Sequence, residues 1–194
     1  MDEGLVDEAV LADRRLYECL LLIDRELCEE VRRGRCPRCA GRLDSATYPR
    51  KPRGLPPGLA DLDAAHKRRL SLCCADCRQR ATPPSVRFLG RRVYTGVVVV
   101  LASARRLTAA RLRELQAALG VDRRTLYRWR RWWQETLPRS SWWRLARGQF
   151  LPPLDEACLP AALLTRMEAA DPVRRLVQVV TFLAPLSVPA GHLG

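Results

Sequence analysis

Eight cysteines stand in the 194-residue chain, and four of them form two CxxC pairs, Cys36-Pro37-Arg38-Cys39 and Cys74-Ala75-Asp76-Cys77. Each pair can make a tight turn that aims two thiolates at one point. Two such turns brought together by a β-hairpin give tetrahedral four-thiolate coordination of Zn2+, the zinc ribbon. Pro37 within the first pair and Arg78 after the last cysteine suit turns of this kind. The 34 residues between Cys39 and Cys74 exceed a compact ribbon, so the basic stretch Tyr48-Pro49-Arg50-Lys51-Pro52-Arg53-Gly54 and the segment to His66 are expected as an insertion. Cys73 competes with Cys74 for one ligand place; the CxxC register selects Cys74 and sends Cys73 to the opposite side of its strand, toward the core. His66 is a weaker substitute ligand, and a disulfide framework is the weaker alternative to a metal. A closed site of four cysteines leaves no open coordination position, so the expected zinc is structural and not catalytic. Its binding would supply roughly 10–16 kcal/mol of apparent folding energy, and chelation is expected to unfold residues 35 to 90.

A second constellation runs from Leu112 to Trp129. Leu112, Leu115 and Leu119 stripe one helix; Gly120 permits a left-handed turn, Val121 fits the angle between helices, and Asp122 caps the next helix. Leu126, Trp129 and Trp133 form the buried face of that second helix, and Arg123, Arg124, Tyr127, Arg128 and Arg131 its opposite face. In a helix-turn-helix the start of the second helix enters the major groove of double-stranded DNA, where the arginine fork bonds guanine O6 and N7 together. These five residues are the candidate base and phosphate contacts, with Arg50, Lys51 and Arg53 of the basic loop as further phosphate contacts. The plainer alternative is a solvated basic face on a structural helical hairpin. Gln116 departs from the small residue that usually lets two such helices cross closely. Trp132, Trp133, Trp142 and Trp143, at helical spacing beside Leu137 and Leu145, are expected in the core rather than as base-stacking platforms.

The elements that must position these groups divide the chain into an acidic N-terminal helix (1–34), a ribbon with its basic insertion (35–90), a helix-turn-helix domain (91–138) and a helical tail (139–194). The expected fold class is mainly α with a small β zinc ribbon. Leu16, Leu20, Ile23, Leu27 and Val31 recur at helical spacing, so a helix is expected from Val6 to Arg33, with Cys19 and Cys28 as small buried hydrophobes. Short strands are expected at Arg42 to Tyr48, Arg69 to Cys73 and Arg80 to Phe88. Arg91 to Leu107 contains the β-branched run Val97 to Val100, yet its length favours a helix. Tail helices are expected at Leu159 to Ala169 and Pro172 to Leu183.

Charge follows the same division. Residues 1–30 hold ten acids and three bases, net −7; residues 31–150 hold 28 bases and seven acids, net +21; residues 151–194 come to −1. All but Lys51 and Lys67 of the 34 basic residues are arginine. A compositional bias of the genome would spread arginine evenly, whereas a footprint for a polyanion concentrates it. No apolar run approaches the ~20 residues of a membrane-spanning helix, and the acidic start Met1-Asp2-Glu3-Gly4 is unlike a signal or transit peptide. A cytoplasmic protein without membrane attachment is the expectation.

A zinc ribbon followed by a helix-turn-helix ending in Thr125-Leu126-Tyr127-Arg128-Trp129-Arg130-Arg131-Trp132-Trp133 resembles the N-terminal DNA-binding region of bacterial insertion-sequence transposases. The resemblance covers about Arg35 to Leu137 and implies recognition of transposon-end DNA. Such transposases cut with acidic residues on a ribonuclease H-like domain, and the tail offers only Asp155, Glu156, Glu168 and Asp171. The expectation is therefore a non-enzymatic accessory or DNA-recognition subunit. It could act beside a transposase or other DNA-processing enzyme, with its oligomeric state open. The competing readings are a transcriptional regulator and a protein-interaction adaptor whose ribbon and tail dock a larger enzyme.

Overall fold

Asp13 opens the first long helix: its carboxylate accepts the Arg15 amide, and α1 runs Arg14–Arg33. The computed structural model describes residues 8–50, 64–89, 95–104, 106–167, 169 and 171–188. The helix expected from Val6 therefore starts later, because the cap at Asp13 separates it from a 3₁₀ turn over Glu8–Ala12. Leu16, Tyr17, Leu20, Leu21, Asp24 and Cys28 are buried along one face. Cys19, expected inside, is exposed instead, because it falls on the opposite side of α1.

The expected strands are present but short: β1 (Leu43–Ser45), β2 (Tyr48–Pro49), β3 (Arg68–Arg69), β4 (Leu72–Cys74) and β5 (Arg80–Ala81). Extension of β5 toward Phe88 ends early because Pro83 and Pro84 follow, and proline cannot donate to a ladder. β1, β4 and β5 form an antiparallel sheet in that order, and β2 and β3 pair separately. Leu43 lies opposite Cys74 and Asp44 opposite Cys73, which in turn faces Arg80. Leu43, Leu72 and Cys74 point inward and are buried. Cys73 therefore lies on the outer face, half-buried between Asp44 and Arg80, and not toward the core as expected.

The β-branched run forms a helix, α2 (Gly96–Ala104), with Val97, Val98, Val99 and Val100 fully buried. Its apolar residues point in every direction, which suits a helix enclosed by other helices; α2 packs against α7 and α4. α3 (Ala109–Leu119) is capped by Thr108, whose hydroxyl accepts the Arg111 amide. α4 (Arg123–Arg131) is capped by Asp122 and runs on into a π turn over Trp132–Thr136. α5 (Ser141–Ala146), α6 (Ala161–Arg166) and α7 (Pro172–Leu183) complete the tail; α6 is shorter than the expected Leu159 to Ala169, its cap falling at Met167.

One apolar core runs from Leu11 to Ala184 and takes in all seven helices, α1 to α7. Trp129, Trp133 and Trp143 are fully buried in it, and Trp132 and Trp142 pack half-buried against it. A second, smaller cluster joins Cys28, Cys36, Leu43, Leu72 and Cys74. α1 is common to both, contributing Leu16 and Leu20 to the first and Cys28 to the second. A buried polar node locks this arrangement. The Asp24 carboxylate accepts bonds of 2.7 Å each from Ser85 Oγ, the Val86 amide and Arg87 Nε. Arg87, only 4 % exposed at its side chain, also donates to the carbonyls of Ala65, His66 and Arg68. The Ser85 amide donates to Ser187 Oγ in the tail. One carboxylate on α1 thus ties the sheet-bearing unit to the helical body. Among the described residues no helix is long and apolar enough to cross a membrane.

Candidate functional site

Two loops of matching conformation carry the four cysteines. In the first, the Ala40 amide donates to the Cys36 carbonyl at 2.8 Å and the Cys36 amide to the Gly41 carbonyl at 3.0 Å. In the second, the Cys74 amide donates to the Gln79 carbonyl and the Ala75 amide to the Arg42 carbonyl, each at 2.9 Å. The residue after each closing cysteine, Ala40 (φ 57°) and Arg78 (φ 60°), is left-handed. Both turns are thereby bent so that their thiols face inward, and the β1–β4 pairing sets them against each other.

The sulfurs of Cys36 and Cys77 are 3.5 Å apart, as are those of Cys39 and Cys74, and all four lie within 4.8 Å of one another. A disulfide requires about 2.05 Å, and all eight cysteines are free thiols. A tetrahedron of thiolates at the usual Zn–S length of ~2.3 Å has edges of about 3.8 Å, which the observed spacings bracket. Cys36 and Cys74 are buried, Cys77 is half-buried and Cys39 is exposed. The donor set and its spacing fit a metal ion, with zinc a good match to four thiolates. The Arg38 backbone N–H, first among several contacts, lowers the Cys36 thiol to about 7. At Cys39 the Gly41 amide favours the thiolate, but the neighbouring Cys77 and Cys74 sulfurs outweigh it and push the thiol up to about 12. The Cys39 thiol therefore resists losing its proton, and a cation bound among the four sulfurs would favour its thiolate. His66 and Cys73 stand outside this group; the Cys73 thiol is directed at the Arg78 carbonyl, 3.4 Å away.

Gly41 lets the two loops close. A Cβ built on it would lie 2.1 Å from Asp76 Oδ2 and 2.9 Å from Cys74 Sγ. Neither Gly41 nor the Asp24 node is evident from the cysteine spacing. Asp24 does carry a signal, being an acid on the apolar stripe between Leu20 and Cys28. The partners Ser85 and Arg87 carry none.

The other set of candidate residues lies on α4. Gly120 is left-handed (φ 59°) with nothing within 4 Å of an added Cβ, so its role is conformational and not a matter of space. The Asp122 carboxylate accepts the Thr125 amide at 2.7 Å and its hydroxyl at 3.1 Å; these bonds, the amide first, hold Asp122 below the usual carboxylate range. Thr125, Leu126 and Trp129 are buried, whereas Arg123, Arg124, Tyr127 and Arg128 are exposed. Arg123 lies over the Tyr127 ring at 5.4 Å, and Arg128 donates to Thr125 Oγ1 at 3.0 Å. Arg131 is exposed too, but paired with Glu135 at 2.7 Å. Arg50, half-buried, lies over Phe88 at 5.7 Å, and Lys51 and Arg53 fall outside the described residues. No protein-family model, characterised protein or solved structure matches the chain.

Proposed function

We propose that the chain is a zinc-dependent, sequence-selective protein that binds double-stranded DNA. In this reading the zinc held by the four cysteines is structural, and α3 and α4 act as a helix-turn-helix. The role is that of a transposase-like accessory or DNA-recognition subunit working in the cytoplasm, with chemistry left to a partner enzyme. The observation that carries the reading is the exposed row of Arg123, Arg124, Tyr127 and Arg128 on a helix whose other face is buried. It begins directly after a left-handed turn and stands within the +21 stretch of the chain. The metal would hold together a sheet whose small cluster of buried residues has little apolar area to stabilise it alone.

The test is retardation of duplex DNA by the zinc-loaded full chain over a range of salt. If α4 and its surroundings neutralise about four phosphates, log K should fall against log salt with a slope of about −3.6. Chelation should abolish the retardation. No retardation of any duplex at low salt would remove the reading. One observation favours the second reading, an adaptor for a larger DNA-processing enzyme: Leu145 and Leu151 in the tail are each 84 % exposed. Pull-down by the tail surface and its loss in a Leu145→Ser/Leu151→Ser variant that still binds DNA would mark that role.

A further inference from the structure

The arginines of α4 are not equivalent, and the difference assigns them separate tasks. Arg123 is laid over Tyr127, Arg128 is bonded to Thr125, and Arg131 is paired with Glu135. Arg124 alone of these four exposed arginines makes no side-chain hydrogen bond, ion pair or ring contact among the described residues.

Among the described residues no side chain bonds to it, and its position is not one that favours a cation. Arg124 is the second residue of α4, where the helix dipole is positive and disfavours a cation. No acid stands in the first turn of α4, and the Asp122 carboxylate is occupied by Thr125. Arg128 sits one turn further along, at the i,i+4 spacing where like charges repel. The Arg124 guanidinium is exposed to solvent, so its whole fork is open to an acceptor outside the described residues. A group that meets both donors together must be anionic or rich in acceptors.

We infer that Arg124 is the specificity-determining residue of α4, reading one guanine through O6 and N7 in the major groove. This rests on the DNA-binding reading above. Arg123 and Arg128 already have part of their guanidinium surface engaged, and they hold phosphates. A fork that is free and close to the helix start can meet a base edge squarely, whereas one turned toward a neighbour on its own helix cannot present both donors.

Selection from a random duplex pool by the zinc-loaded full chain, followed by competition binding at fixed salt, tests this. Wild type should select a motif with one guanine preferred about 5- to 150-fold over the other bases, the range of one good bidentate pair. Arg124→Ala should lose that preference alone, with the rest of the motif intact. Arg124→Gln should move the preference at the same position to adenine, because the glutamine amide matches adenine N6 and N7. Arg123→Ala and Arg128→Ala should weaken all duplexes alike and keep the guanine. Both Arg124 variants should melt at or above the wild-type temperature; a lower one would give Arg124 a role inside the fold and overturn the assignment. A guanine preference that survives in Arg124→Ala, or that follows Arg123 or Arg128, overturns it as well. Wild type binding no duplex removes the DNA-binding reading itself, and the assignment falls with it.

Discussion

On the zinc-binding proposal, replacing Gly41 with alanine should weaken zinc affinity without touching any of the four cysteines. The added Cβ would stand 2.9 Å from Cys74 Sγ, where 3.4 Å begins ordinary contact. The sulfur or the Gly41 backbone must therefore move by about 0.5 Å. Metal–ligand distances tolerate only ~0.2 Å, so the strain falls on the Zn–S bond or on the turn that carries Cys36. Overpacking of this kind costs about 1–3 kcal/mol, which corresponds to zinc affinity lower by about 5- to 150-fold. The assay is competition between the full chain and a chromophoric chelator. The closer contact, 2.1 Å to Asp76 Oδ2, involves the end of an exposed side chain that can rotate away. Asp76→Ala alone should leave affinity near wild type, and Gly41→Ala/Asp76→Ala should retain most of the loss. Gly148→Ala serves as the control, since nothing lies within 4 Å of its added Cβ. If the Gly41→Ala/Asp76→Ala chain binds zinc as wild type does, the close approach to Cys74 is not what requires glycine, and the reasoning fails.

Asp24→Ala leaves the buried Arg87 guanidinium without its counter-ion and should lower stability by about 3–5 kcal/mol. Urea denaturation followed by tryptophan fluorescence measures this, and a loss under about 1 kcal/mol, the scale of a surface pair, would show that Arg87 finds another partner. Ala40→Gly and Arg78→Gly relieve left-handed backbone at φ 57° and 60°. Each should stabilise the loaded protein by up to about 1 kcal/mol, the strain of an L-residue less the added freedom of the unfolded glycine, read as a higher melting temperature. Glu156 is held below its ordinary value of 4.5, first by the Trp143 Nε1 bond of 2.7 Å and then by Arg147. Because its folded value is the lower one, its contribution is complete above about 4.5 and is lost as pH falls through the folded value. Acid titration should therefore change Trp143 fluorescence below pH 4.5 in wild type, and Glu156→Gln should remove that step.

Local chemistry made parts of the molecule legible from residue types alone. CxxC spacing pointed to Cys36, Cys39, Cys74 and Cys77, because a tight turn brings the two sulfurs of each pair to one side wherever it occurs. Gly120 after α3 and Asp122 before α4 marked those boundaries, since a left-handed turn and an N-cap both depend on residues adjacent in the chain. Burial of Trp129, Trp133 and Trp143 followed from helical spacing. The strands were harder to bound: β5 stops at Ala81, and proline two residues on was a clearer sign than the β-formers beyond it.

What the sequence determined by itself is therefore local: the cysteine quartet, the turn and cap between α3 and α4, and the row of arginines that α4 exposes. Tertiary structure decided the rest, because each remaining feature depends on which segments meet. Val97 to Val100, whose helix the length of the run already favoured, became fully buried because α4 and α7 pack against α2. Cys73 turned outward because its register places it between Asp44 and Arg80. Asp24 found Ser85, Val86 and Arg87 some sixty residues away. A buried charge is tolerable only when distant donors converge on it, and no spacing along the chain records that convergence.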